Sequence, residues 1–261
     1  MATNKPHIIH DLTASKLRRL NLNAAVLHFV SAVAIITLSN SFSLPVIGNY
    51  IQGEPGNASY QTVHLFDIPG AWTCVIFLLL SSLAHLWLVS LRGFPGYIND
   101  LSKNQNIARW VEYSISSSIM IVLIAQLSSI RDIITLAALF FTNVSMILFG
   151  WLQEKYEAPG GGLLPFWFGC IAGVVPWVAI VWLLIAPGQT TGVRAPGFVY
   201  GIIFSLFIFF NCFALNQYLQ YKQIGKWKDY LYGERVYIIL SLVAKSALAW
   251  QIFAGALASN T

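Results

Sequence analysis

Charge is scarce in this chain: Asp, Glu, Lys and Arg make up 10% of its 261 residues, whereas about a quarter of a soluble domain is charged. With 57% of its residues hydrophobic, the chain cannot clothe a water-facing surface of ordinary composition, which excludes a soluble globular fold. Cysteine is scarce as well. Cys74, Cys170 and Cys212 share no CxxC spacing and have no histidine cluster beside them, so disulfide-stapled folds and the common zinc and dithiol sites are excluded, and the three read as small packing residues. There is no nucleophile elbow, metal cluster or carboxylate pair to suggest an enzyme. Gly160, Gly161 and Gly162 lack the strand, lysine and hydroxyl context of a phosphate loop. The net charge of +5 lies in loops beside apolar runs, as at a membrane surface, and no nucleic-acid motif accompanies it.

What the chain does have is long apolar runs. A helix needs about 20 mainly apolar residues to cross the hydrocarbon core, and seven runs reach that length, near residues 20 to 40, 71 to 91, 108 to 127, 133 to 152, 166 to 186, 197 to 219 and 236 to 258. They fill more than half the chain and leave no room for a separate soluble domain, so residues 1–261 read as one domain embedded in a lipid bilayer. The opening MATNKPHIIHDLTASKLRRL has no small-residue cleavage site, so the first span is expected to insert as its own anchor. Between the first two spans, LPVIGNYIQ and SYQTVHLF flank the turn-rich GEPGNA, which predicts a hairpin in a loop spanning 41–70. Asn57-Ala58-Ser59 in that turn matches a glycosylation acceptor, a triplet common by chance. The expected fold is therefore an all-α membrane protein, a seven-transmembrane-helix bundle with a β-hairpin in the first outer loop.

Basic residues set the orientation. With a cytoplasmic N-terminus, the inner segments hold Lys5, Lys16, Arg18, Arg19, Arg92, Lys103, Arg109, Lys155, Lys222, Lys226, Lys228 and Arg235, while the outer segments hold Arg131 and Arg194 alone. Twelve against two places the N-terminus inside and, after seven crossings, the C-terminus outside.

Within the spans this reading finds four ionisable groups: His28 in the first, His85 in the second, Glu112 in the third and Lys245 in the seventh. Counting 1.5 Å per residue from the basic boundary, His28 lies about 13 Å, His85 about 10 Å and Lys245 about 15 Å deep, with Glu112 about 5 to 13 Å deep. All four fall in the inner half or at its midplane limit. The outer halves offer only Gln126, Gln251, Tyr200 and scattered hydroxyls, and this asymmetry argues against a directional ion pump.

Lys245, within VYIILSLVAKSALAWQIF, is too deep to snorkel to a surface. It reads either as one half of a structural ion pair or as an amine able to form a Schiff base with an aldehyde. Glu112 is the one intramembrane carboxylate in this reading and so the expected partner or counterion. Ser241 and Ser116 each lie one turn from the pair, on its helical faces, and are candidates to hydrogen-bond it. Serines in membrane helices are more often packing residues. His28 and His85, at matching depth on adjacent spans, look like a polar pocket able to take up a proton. For an apolar ligand slot the candidate walls are Asn143 and Met146 in the fourth span, Trp177 in the fifth, Phe207 and Phe210 in the sixth and Trp250 in the seventh. Each is individually better explained by general packing than as a pocket wall.

The lysine in LSLVAKSALAW and the third-span run RWVEYSISS resemble heliorhodopsins over essentially the whole chain. The inverted topology fits too. The resemblance implies a rhodopsin-like bundle carrying all-trans retinal on Lys245, Glu112 as counterion, Ser241 near the Schiff base, and His28 and His85 in an inner polar cavity. It further implies a slow photocycle without pumping, a sensory or regulatory role, and a homodimer with a sheet-forming first outer loop. Where pumping rhodopsins carry a second carboxylate, this chain has Leu123, and Arg109 occupies the place of a familiar pump arginine while also marking the inner boundary. A light sensor read by a cytoplasmic partner is the expected function. A light-gated ion or proton channel and a chromophore-free proton-coupled transporter are the alternatives, the latter weakened by the lack of an internal repeat.

Overall fold

The computed structural model describes residues 8–54, 56 and 59–257. Lys5 of the basic count, and Asn57 and Ala58 of the glycosylation triplet, lie outside the described residues. The chain runs α1 (Asp11–Leu38), β1 (Ser43–Gln52), β2 (Ser59–Pro69), α2 (Gly70–Val89), α3 (Gly93–Ser102), α4 (Ile107–Leu127), α5 (Ile133–Tyr156), α6 (Leu164–Thr190), α7 (Gly197–Tyr221) and α8 (Tyr230–Ile252). Seven of these helices are long and apolar enough to span a membrane, in the order expected. The short α3 was not anticipated.

Local chemistry sets several helix starts. The Asn106 side chain accepts from the Arg109 amide to cap α4, Asp132 accepts from the Thr135 amide to cap α5, and Asp229 accepts from the Leu231 amide to cap α8. Each satisfies an N–H that the first helical turn leaves without a partner. Because of the Asp229 cap, α8 begins six residues before the apolar run that announced it, and α5 continues four residues beyond its run. Those extra turns bring Glu154 and Glu234 inside helices.

α1 and α2 lie side by side, α4 packs on α2 and α5, α6 on α5, and α7 on α8, which returns to α1 and closes the bundle. Away from α3 the core is apolar, with Phe77, Leu78, Ile121, Ile124, Ile180, Leu206 and Leu248 fully enclosed and Cys74 among them. Association in lipid relies on such packing rather than on escape from water. At the other end α3 lies under the bundle and buries Tyr97 and Leu101 against Leu17, Leu88 and Ile238.

The hairpin forms as expected. β1 and β2 pair antiparallel from Ser43↔Pro69 to Gln52↔Ser59, with a bulge between Val46 and Ile47. Leu44 and Val46 of β1 point into the bundle, and the Ile47 amide donates to the Arg131 carbonyl at 2.9 Å, tying the hairpin to the start of α5. β2 is exposed over almost its whole length.

Candidate functional site

At the heart of the bundle a lysine and a glutamate meet. Lys245 Nζ on α8 donates to Glu112 Oε1 on α4 at 2.7 Å, both side chains nearly enclosed. The pair has a third member that sequence reasoning missed. Ser81 on α2 accepts from Lys245 Nζ at 2.6 Å, and its hydroxyl lies 2.6 Å from Glu112 Oε1 and 3.0 Å from the Phe77 carbonyl. The charges are thus held by three helices. Ser116 and Ser241, the serines expected to serve this role, are fully buried: Ser116 lies beside Glu112 and Ser241 beside the Tyr113 hydroxyl, though neither makes a hydrogen bond of good geometry to the pair. Ser81 was hard to find because hydroxyls are common in these spans, although it lies four residues before His85 and hence on its face.

The two histidines come together. Their rings stack with centroids 6.0 Å apart and planes 15° apart, between α1 and α2. His85 Nδ1 meets Asn21 Oδ1 at 2.7 Å, while neither ring nitrogen of the wholly buried His28 has a partner. Asn21, seven residues before His28 and so on the same face, is a further member of this pocket that was not foreseen. Its amide is 3.3 Å from the Tyr97 hydroxyl, which donates to Glu234 Oε1 at 3.0 Å. Burial, chiefly, and the Glu234 carboxylate hold the Tyr97 phenol well above its ordinary pKa, so it stays a donor.

Glu234 belongs to a cluster that corrects the expectation of only four ionisable groups within the spans. The Arg109 guanidinium lies between Glu154 on α5 and Glu234 on α8, paired with both, and all three are buried. Glu154 also accepts from Trp110 Nε1 at 2.6 Å, the Asn106 amide at 3.0 Å and the Tyr230 hydroxyl at 3.0 Å. Glu234 accepts in addition from Asn106 Nδ2 at 2.7 Å. The Tyr237 ring covers the guanidinium at 4.0 Å. Arg109 is therefore a buried cation held by two carboxylates through its terminal nitrogens, its Nε alone unbonded, and not a boundary charge. The links from His85 through Asn21, Tyr97, Glu234 and Arg109 to Glu154 and Tyr230 form one continuous polar chain.

Beside Lys245 an apolar slot opens between α4, α5, α7 and α8. It is lined by Met120, Met146, Phe210, Phe213, Tyr113 and the lysine itself, with Ser116 and Ser241 at its edge. An adjoining space reaches Gly169 and Cys170 on α6. The free volumes, about 50 and 90 Å³, are small because flexible side chains fill the slot. Met146 is the clearest case: its sulfur lies 2.6 Å from where a Cβ on Gly173 would stand, so it has room there only because that residue is glycine. The lining suits a flat polyene attached at Lys245, whose entry requires Met146 and the two phenylalanines to swing aside.

Of the other expected walls, Asn143 stands behind the slot, donating to Ser117 Oγ at 2.8 Å and Ser118 Oγ at 3.0 Å. Trp177 backs Phe210 edge-on at a centroid distance of 5.4 Å and touches Phe207 at 5.3 Å. Phe207 is 44% exposed and Trp250 38%, and neither lines the slot. For Trp250 the reason is rotational: five residues past Lys245 put it about 140° round the helix, where it packs on Phe253. Tyr113 and Phe213 line the slot and were not singled out, since nothing in their spacing separates them from the other aromatics. Among the described residues no group of histidine, cysteine and acidic side chains could hold a metal.

A family model described as Heliorhodopsin matches residues 17–257. No curated protein matches the sequence. Among solved structures, a cyanorhodopsin from the cyanobacterium Tolypothrix sp. is similar at 14% identity and a TM-score of 0.62, covering 95% of this chain and 96% of that one. The transmembrane domain of the Salpingoeca rosetta rhodopsin phosphodiesterase is similar at 11% identity and a TM-score of 0.68, covering 92% and 84%. Exiguobacterium sibiricum rhodopsin is similar at 14% identity and a TM-score of 0.62, covering 93% and 96%. At these identities the likeness speaks for the fold alone.

Proposed function

Because the chain belongs to the heliorhodopsin family, we propose that it is a light-absorbing protein carrying all-trans retinal as a protonated Schiff base on Lys245, with Glu112 as counterion. The observation that carries this reading is the enclosed Lys245 to Glu112 pair, 2.7 Å long, at the head of an apolar slot. Retinal, when bound, supplies visible absorption and a light-driven change of shape.

The rest is done by the chain's own residues. Glu112 and Ser81 hold positive charge at the Lys245 nitrogen, in surroundings where an unpaired charge is costly. Met146, Phe210 and Phe213 exclude water from the slot, and the hydroxyls of Ser116 and Ser241 lie at its edge. His85, one turn from Ser81 on the same face of α2, and His28 stacked on it take up the proton that leaves this centre. The polar chain through Asn21, Tyr97 and Arg109 carries the changed hydrogen bonding to the inner face, where a cytoplasmic partner reads it. Towards the hairpin there is no matching relay among the described residues: Gln251 is bonded to Ser205 at 3.1 Å and the core is apolar. This asymmetry favours a sensory or regulatory role with a slow photocycle over pumping, and we read the chain as a receptor rather than an enzyme.

The exposed strand β2, with Tyr60, Val63, Leu65 and Phe66 spread over its two faces, is the surface we assign to a homodimer contact. The distribution of basic residues supports a multi-pass protein of the cell membrane with a cytoplasmic N-terminus and an extracellular C-terminus. The inner polar chain also favours a second reading, a light-gated proton conductor. Regeneration with retinal tests the first: a visible band in the wild type, lost in Lys245→Ala, is expected, and folded but colourless wild-type protein overturns it. Sustained photocurrent in patch-clamp recordings decides for the second.

A further inference from the structure

Two basic residues fall in the outer segments, Arg131 and Arg194, and the fold brings both to one cavity. The cavity, about 350 Å³, lies at the end of the bundle away from the Arg109 cluster, where α4 and α6 end, α7 begins and β1 passes over. Among the described residues neither guanidinium has a hydrogen bond or an ion pair. Into the same space faces Gln126, 2% exposed, with neither its Oε1 nor its Nε2 bonded. A buried amide without partners is unfavourable, and here donor and acceptor are both unmet. The rest of the wall combines Ser128 and Ser129 with an apolar side formed by Leu183, Leu184, Pro187 and Phe198.

These features select a ligand chemistry. Two guanidiniums call for a phosphate or carboxylate. A hydroxyl satisfies the Gln126 amide at one stroke, donating to Oε1 and accepting from Nε2. The apolar wall calls for a hydrocarbon chain. We propose that this cavity binds an anionic glycerophospholipid with a hydroxylated headgroup, its phosphate held by Arg131 and Arg194, its hydroxyl on Gln126 and an acyl chain along Leu183, Leu184 and Phe198. The lipid ties the α6–α7 connection to α4 and to the foot of the hairpin.

The same phosphate and hydroxyl occur in soluble glycerol phosphate, so the test separates the two. The full chain is reconstituted in phosphatidylcholine nanodiscs containing a minor share of phosphatidylglycerol, and the retained lipid is counted by native mass spectrometry. Selective retention of phosphatidylglycerol is expected, with a drop of about tenfold or more in Arg131→Gln/Arg194→Gln. Gln126→Leu is expected to erase the preference for phosphatidylglycerol over phosphatidylmethanol, which has the same charge without the hydroxyl. Equal retention by the wild type and the double-arginine variant, each shown by thermal unfolding to be folded, overturns the site. An equal loss in the inner-face variant Lys222→Gln/Lys226→Gln overturns it too, because retention then follows overall charge. Displacement of the lipid by millimolar glycerol phosphate overturns the lipid assignment. None of these readouts requires retinal, so failure here is separable from failure of the photoreceptor reading.

Discussion

Ser81 Oγ lies 2.6 Å from Lys245 Nζ, as close as Glu112 itself and reaching the cation from a different helix. The hydroxyl thereby fixes where the positive charge sits relative to its counterion. In Ser81→Ala the visible band is expected to move in the same direction as in Glu112→Gln but by less, since a dipole is lost rather than a charge. Removing a hydrogen bond to a charged group costs about 1.5–3 kcal/mol of stability, which thermal unfolding in detergent will read. A band in Ser81→Ala identical to that of the wild type would remove Ser81 from the site.

The stacked histidines make a kinetic prediction. Replacing both, as His28→Phe/His85→Phe, removes the stacked ring acceptors that begin one turn from Ser81 on α2. Flash photolysis should then show proton loss from the centre slowed by an order of magnitude or more, on the scale of general base contributions of about 10²–10⁴. Asn21→Leu, which takes the partner from His85 Nδ1, is expected to act in the same direction and more weakly. Unchanged kinetics in the double variant would show that the proton goes elsewhere.

The cluster around Arg109 is expected to behave as a unit. Arg109→Gln leaves Glu154 and Glu234 buried together without their cation, and breaking such a pair costs about 3–5 kcal/mol. The variant Arg109→Leu/Glu154→Gln/Glu234→Gln removes every charge at once and should recover most of that loss. Thermal unfolding of the three proteins is the check. If the triple variant is no more stable than Arg109→Gln, charge burial does not govern this region.

Gly173 controls the slot at a distance from the lysine. A methyl group there meets the end of the flexible Met146 side chain, which must give way within the slot that it lines. Gly173→Ala should fold normally, yet take up retinal several-fold more slowly, whereas Gly173→Ala/Met146→Ala should regain the wild-type rate. Equal uptake rates in all three would mean that Met146 does not close the slot.

How much of this was legible beforehand depended on contrast. The seven spans and the Lys245 to Glu112 pair were readable because a charge in a long apolar run stands out, and the hairpin because GEPGNA interrupts two alternating runs. Glu154 and Glu234 offered no such contrast. Each lies beside a basic residue, Lys155 and Arg235, at the end of an apolar run, and so looks like an interfacial charge. Only the capped extension of α8, the extra turn of α5 and the cover supplied by α3 and Tyr237 bury them. Ser81 was hidden among many membrane serines, and Trp250 misled because the slot's aromatic lining can be recognised only once the helix rotation is known.

Everything proposed for the site depends on Lys245 forming the covalent link to retinal, and that link can be sought directly. Protein regenerated with all-trans retinal is reduced with borohydride, digested and analysed by mass spectrometry. A retinyl group is expected on the peptide containing Lys245, with no modified peptide from Lys245→Ala. A retinyl group on another lysine, or none on a wild type shown to be folded, would contradict it.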